Sequence, residues 1–252
     1  METKVSSSKK EITISGSGPT ILIGERINPT GKKKLAAALK EGNMEVVKEE
    51  AINQVKAGAD ILDVNVVAPD VDEISTLPKA IEAVMSVVDV PICIDINNPA
   101  ALKEAIKVYQ GKPIVNSVSG EERSLNEILP IVKEYGAAVI GLTVDDSGIP
   151  KEAKKRLEIA QKIIERAEAV GIPREDIIID CLAISLGADD KAGLVTIDAI
   201  RMINKEFGVN QTLGASNISF GLPDRLVVTG GPVAAVNSFL NARAIRARNA
   251  FE

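Results

Sequence analysis

Two hydrophobic rhythms alternate along the chain. One is a short apolar run without polar interruption, as expected of a strand covered on both faces: Ile21-Leu22-Ile23, Ile61-Leu62, Ile92-Cys93-Ile94, Ile114-Val115, Ala137 to Leu142 and Ile177-Ile178-Ile179. The other repeats every three to four residues and predicts amphipathic helices. It carries Val46, Val47, Ala51, Ile52 and Val55, then Ile81, Val84, Met85 and Val88, then Leu102, Ile106 and Tyr109. It returns with Leu125, Ile128, Leu129 and Val132, with Leu157, Ala160, Ile164 and Ala167, and with Val195, Ala199, Met202 and Ile203. Asn43 and Ser124 are placed as helix N-caps, and Gly58 as a helix stop. Pro99 suits a first helical turn, and Gly171-Ile172-Pro173 ends the helix from Lys151 to Val170. After a longer loop through Gly187 and Gly193, a seventh strand runs up to Asn217.

Strands alternating with helices at roughly 30-residue spacing predict an α/β fold, a (β/α)8 TIM barrel forming one domain over residues 20–252. A doubly wound open sheet shares the local pattern, but the glycine-rich phosphate loop it usually carries is missing. Residues 1–19, rich in Ser, Lys and Gly, read as a flexible N-terminal tail that lacks the apolar segment of a secretory signal. No window approaches the roughly 18 apolar residues of a membrane span. A cytoplasmic protein is expected.

Composition narrows the chemistry. With 45% hydrophobic residues in 252, the chain can bury one sizeable core. A formal charge of −5, no basic stripe and 2% aromatic residues leave nothing to track phosphates or stack bases, so nucleic acid is not an expected partner. The absence of histidine removes the commonest general base, the commonest metal ligand and every Ser-His or Cys-His nucleophile. Cys93 and Cys181 lie in or beside apolar runs and read as small buried hydrophobes.

What remains is acid and amide at the ends of strands. Six runs finish in such residues: Asp63 and Asn65, Asp95 and Asn97, Asn116, Asp145 and Asp146, Asp180, and Asn217. Singly, each has a plain reading as a helix cap or turn residue, which suits Asn98 and Asp146 best. Collectively, strand ends in a closed barrel converge on one mouth, where such enzymes keep their chemistry. A ring of carboxylates and amides suits a flat, nitrogen-rich heterocycle, since a carboxylate accepts two N–H bonds from an aminopyrimidine and Asn both donates and accepts. A divalent metal is the rival use, but the acids alternate with Asn instead of clustering, and no metal is expected.

These residues also carry a resemblance. Gly24-Glu25-Arg26-Ile27-Asn28, Asp63-Val64-Asn65-Val66, Ile94-Asp95-Ile96-Asn97, Val115-Asn116-Ser117, Gly141-Leu142-Thr143, Gly148-Ile149-Pro150, Ile179-Asp180 and Leu213-Gly214-Ala215-Ser216-Asn217-Ile218-Ser219 together resemble the pterin-binding barrel of methyltetrahydrofolate:corrinoid methyltransferases, in order from about residue 20 to Arg225. The resemblance implies a homodimeric barrel that moves a methyl group between tetrahydrofolate and the cobalt of a corrinoid (cobalamin) carried by a partner protein. It also implies that Asp95, Asn116 and Asp180 hold the pterin ring and that Asn217 stands near the methylated nitrogen; Asp63, Asn65 and Asn97, strand-end residues of the same ring, are expected to bind substrate as well. Two other readings stay open: a pterin- or corrinoid-protein-binding barrel without turnover, and dihydropteroate synthase. The latter would need phosphate-binding basic residues at the last strands, where Ser216-Asn217-Ile218-Ser219 offers none. The chain departs from the family at its end. After Arg225, 252 − 225 leaves 27 residues, about one βα unit. Leu226 to Gly231 reads as a strand with its turn and Pro232 to Phe251 as a last helix, a shortened or altered finish to the barrel.

Overall fold

The chain begins with a hairpin and then alternates strands with helices. A computed structural model describes residues 1–185 and 191–217, with the backbone of 244–247. Strands β1 (Glu2–Ser6) and β2 (Glu11–Ser15) pair antiparallel. There follow β3 (Ile21–Ile27), α1 (Lys33–Lys40), α2 (Glu45–Lys56), β4 (Ile61–Val64), α3 (Glu73–Met85), β5 (Ile92–Asp95), α4 (Pro99–Val108), β6 (Ile114–Ser119), α5 (Glu122–Tyr135), β7 (Ala138–Leu142), α6 (Ala153–Ala169), β8 (Ile177–Asp180), α7 (Ala192–Phe207), β9 (Asn210–Gly214) and β10 (Ala244–Ala247). Strands β3 to β10 form a closed barrel, with β10 parallel to both β9 and β3.

The (β/α)8 architecture therefore matches the expectation, but its closing strand does not lie where the pattern put it. Ala244–Ala247 falls inside the stretch read as a last helix, while residues 226–231 lie outside the described residues. Four residues containing an arginine carry too weak a signal to outweigh helical spacing. Hydrogen bonding to a neighbour on each edge makes this segment a strand.

Side-chain alternation along each strand sorts the core into two layers. Ile21, Ile23, Ile61, Cys93, Ile114, Ala138, Ile140 and Ile178 pack together inside the barrel, all but Ile21 fully buried. Their neighbours Leu62, Ile94, Val115, Val139, Ile177 and Ile179 face the helices, against residues such as Ala80, Leu102, Leu129 and Ile163.

The interior is plugged from below by the segment expected to be a flexible tail. Val5 and Ile14 of the hairpin are fully buried and join the interior cluster. Asn210, at the start of β9, donates from Nδ2 to Thr3 Oγ1 and to the Ile14 carbonyl, each at 2.9 Å. The Tyr109 hydroxyl donates to the Ser6 carbonyl at 2.9 Å and accepts from the Ile92 N–H at 3.1 Å; burial pushes its pKa up to about 12. Thr3 Oγ1 donates to the Glu175 carbonyl, and Ser6 and Lys112 exchange backbone bonds. The alternation Glu11-Ile12-Thr13-Ile14-Ser15 is strand-like, yet two short strands cannot bury a face alone. The barrel floor supplies that face.

Helix ends confirm some punctuation and move the rest. Asn98 Oδ1 accepts from Ala100 N and Ala101 N at 3.0 and 3.3 Å, capping α4 with Pro99 in its first turn. Asn43 holds Glu45 N at 3.1 Å, but α2 is capped at Met44. Ser124 lies within α5, where its Oγ accepts from Ser119 N at 3.0 Å and ties the loop to the helix. Gly193 belongs to the first turn of α7, not to the preceding loop.

Candidate functional site

The apolar interior gives way to polar side chains at the C-terminal ends of the strands. Asp63, Asp95, Asn116, Asp180 and Thr212 occupy alternating positions above Ile61, Cys93, Ile114, Ile178 and Asn210, so they share the inward face. One direct bond joins two of them, and a second ties Asn65 to the layer. Asn116 Nδ2 donates to Asp63 Oδ1 at 3.0 Å, reaching past β5 from β6 to β4, and Asn65 Nδ2 donates to Asp95 Oδ2 at 3.0 Å. The first bond commits the Asn116 amide nitrogen to Asp63 and leaves its carbonyl oxygen as the end able to accept from an N–H donor. The second uses Asn65 on both sides, because its Oδ1 also accepts from Val67 N at 2.8 Å. Asp63 and Asn116 are buried; Asp95 is half-buried.

Asp180 is 1% exposed and held from its own loop, its Oδ1 accepting from Leu182 N at 2.7 Å. Thr143 brings the exit of β7 against it, donating to the Asp180 carbonyl from both N and Oγ1 at 3.1 Å. Next to it, Cys181 points outward and its Sγ contacts Gln211 Oε1 at 3.1 Å; burial pushes the thiol well above its ordinary value, so it is no nucleophile.

Asn97 and Asn217 lie further out. Asn97 is exposed at the edge of a cavity of about 340 Å³ shared with Ser117, Ser119, Leu142 and Val144. Asn217 is exposed in a single 3-10 turn, Ala215–Asn217, directly after β9. Its amide folds back over Gly214, where a Cβ would come within 2.8 Å of Nδ2. Asp145 and Asp146 do not enter the polar layer: Asp145 Oδ1 accepts from Ser147 N at 2.9 Å in a turn, and Asp146 is exposed.

Three contributors were missed. Glu25 follows Ile21 and Ile23 at the same two-residue spacing, a signal present in the chain, and is half-buried at the mouth end of β3, beside the register irregularity between Gly24 and Ile27. Thr212 and Thr143 carry no such signal, being defined only by register against Asp180. Among the described residues, no three His, Cys, Asp or Glu side chains are grouped to hold a metal ion, and no helix is long and apolar enough to cross a membrane.

Known proteins match both the fold and the sequence. Solved dihydropteroate synthases share the fold: the Yersinia pestis structure superposes with a TM-score of 0.73 over 95% of this chain and 90% of that chain, at 18% identity. The one from Thermus thermophilus does so with 0.70 over 98% and 94%, at 19%. In sequence, the chain is 32% identical over 214 residues to a methylcorrinoid:tetrahydrofolate methyltransferase of Eubacterium limosum, covering 81% of this chain and 76% of that protein. It is 32% identical over 232 residues to a methionine synthase of Mycobacterium leprae, covering 88% of this chain. The chain spans only 19% of that synthase's length. The model of the pterin binding enzymes matches residues 24–244, from the third residue before Ile27 in β3 to the first residue of the closing strand. A barrel whose mouth is lined with acid and amide, matched along nearly its whole length, belongs to the pterin binding enzyme family.

Proposed function

We propose that this barrel is a methyltransferase that moves a methyl group between the ring nitrogen of methyltetrahydrofolate and the cobalt of a corrinoid carried by a partner protein. The observation that carries this reading is the paired acid–amide network at the mouth, Asn65 with Asp95 and Asp63 with Asn116, in a chain similar to a methylcorrinoid:tetrahydrofolate methyltransferase. Asp95 and Asp180 accept N–H bonds from the pterin, and the Asn116 carbonyl oxygen accepts another. Asp63 and Asn65 orient those groups. Asn97 stands on the rim, toward the non-pterin part of the folate.

An amine releases a methyl group poorly unless its nitrogen gains positive charge. The Asn217 amide oxygen is suited to stabilise that charge, and Gly214 gives the amide room to lie over the mouth. No covalent intermediate on the enzyme is needed, and neither cysteine has the exposure for one. The barrel acts as a homodimer, which sedimentation would test.

The likeness to dihydropteroate synthases is one of fold alone, and no observation at the site favours that reaction. The deciding experiment is an anaerobic assay of methyl transfer in both directions, with methyltetrahydrofolate and reduced free cobalamin. Transfer supports the proposal. Tight tetrahydrofolate binding with no transfer in either direction would leave a pterin-binding barrel without turnover.

A further inference from the structure

The most unusual group outside the polar layer is Arg156. It is fully buried in the first turn of α6, where a cation is opposed both by loss of water and by the positive end of the helix. Among the described residues no carboxylate lies within ion-pair distance of it. Its bonds run to neutral oxygens on three segments of the mouth: Nε donates to the Pro150 carbonyl at 3.0 Å, and Nη1 to the carbonyls of Cys181 and Leu182 at 2.5 and 2.9 Å and to Thr196 Oγ1 at 3.1 Å. Nη2 is buried without a hydrogen-bond partner. Stability alone is a poor account of such a residue, since an apolar side chain of similar volume fills a buried site at lower cost.

What these bonds hold is the exit of β8. Leu182 takes a left-handed conformation, φ 58°, which a branched residue adopts only under constraint. Its carbonyl is gripped by Arg156 and Thr196, and its N–H is the donor to Asp180 Oδ1. We infer that Arg156 is a positioning residue for Asp180: by clamping the carbonyls of Cys181 and Leu182, it aims the Leu182 N–H that sets the Asp180 carboxylate for the pterin ring. A planar fork that reaches several oxygens at once is needed for this, and a lysine ammonium at the same site provides only a point charge. The inference rests on the pterin reading above.

The test is a double-mutant cycle on the full chain, read as anaerobic calorimetric affinity for tetrahydrofolate, with KM and kcat for methyl transfer and thermal stability measured on the same samples. Arg156→Lys is expected to weaken binding about tenfold and raise KM more than it lowers kcat, whereas in an Asp180→Asn background it adds less than about twofold. If Arg156→Lys does not fold, Thr196→Val takes its place, removing the bond from Arg156 to Thr196 Oγ1 and that from Thr196 Oγ1 to the Leu182 carbonyl while keeping the guanidinium. Full loss in the Asp180→Asn background, or unchanged affinity in the single variant, overturns the role of Arg156 while leaving pterin binding intact. A wild-type chain that does not bind tetrahydrofolate overturns the pterin reading and this inference with it.

Discussion

Asp95 and Asn116 stand side by side in register on β5 and β6, yet each is held by a different neighbour, Asn65 and Asp63. In the proposed function this separates binding from orientation, which makes single substitutions informative. A carboxylate gripping the ring acts in ground and transition states alike, so Asp95→Asn should raise KM about 10- to 100-fold, the worth of roughly 1.5–3 kcal/mol in bonds to a charged group, with kcat changing less. A collapsed kcat at unchanged KM would instead make Asp95 an acid-base group. Asn217→Ala should lower kcat by about 10²–10³, the loss typical of one preorganised polar group, with a smaller effect on binding. Were Asn217 only a turn residue, the variant would be less stable by roughly 1 kcal/mol and turn over normally. Thermal stability and kcat on one sample separate the two. The acids and amides themselves were legible as strand-end residues, but which supports which was not. A bond such as Asn116 to Asp63 joins positions 53 apart that meet only when alternate strands share a layer.

At the scale of elements, the hairpin is the main surprise. Its strands look like polar surface, and their burial depends on Asn210, Tyr109 and Lys112, which lie far along the chain. Asn210→Ala should destabilise the fold by about 1–3 kcal/mol, because it leaves the buried Ile14 carbonyl without its side-chain donor, and denaturant unfolding reads this directly. An unchanged midpoint would mean that the Asn210 bonds contribute nothing to holding the hairpin. The outer layer is equally close. Gly141 on β7 faces α6, and a Cβ there would lie 2.8 Å from Ile163 Cγ2 and 3.2 Å from Ile179 Cδ1. Gly141→Ala should cost about 1–3 kcal/mol by overpacking, seen as a lowered Tm with methyl transfer retained at low temperature.

Across the molecule, the two ends of the barrel divide the work: the floor is closed with apolar residues and the hairpin, and the mouth carries the acids and amides. The floor also holds a buried acid. Asp176 is 5% exposed, and burial raises its carboxyl above the ordinary value of 3.8 even though Lys112 Nζ stands 2.5 Å away and opposes the rise. The folded state thus binds the proton more tightly than the unfolded state, so this group's contribution to stability is greatest below 3.8 and declines as pH rises through the folded value. Asp176→Asn should flatten that decline. Stability measured by denaturant from pH 3.5 upward checks it, and a slope identical to wild type would show that Asp176 does not titrate there.

The alternation of buried runs with 3.6-residue periodicity was enough to specify seven strands and the barrel class, because both periods arise from backbone geometry within one segment. The acidic and amide strand ends were equally readable, since residue type and position on a strand are local facts. Closure by Ala244–Ala247, the insertion of the hairpin and the clamp of Arg156 on the β8 exit were decided only in three dimensions. Each depends on partners remote in the chain: a strand edge that becomes complete only when β9 and β3 flank it, a barrel floor that accepts two short strands unable to bury a face alone, and carbonyls that turn toward a guanidinium 25 and 26 residues away.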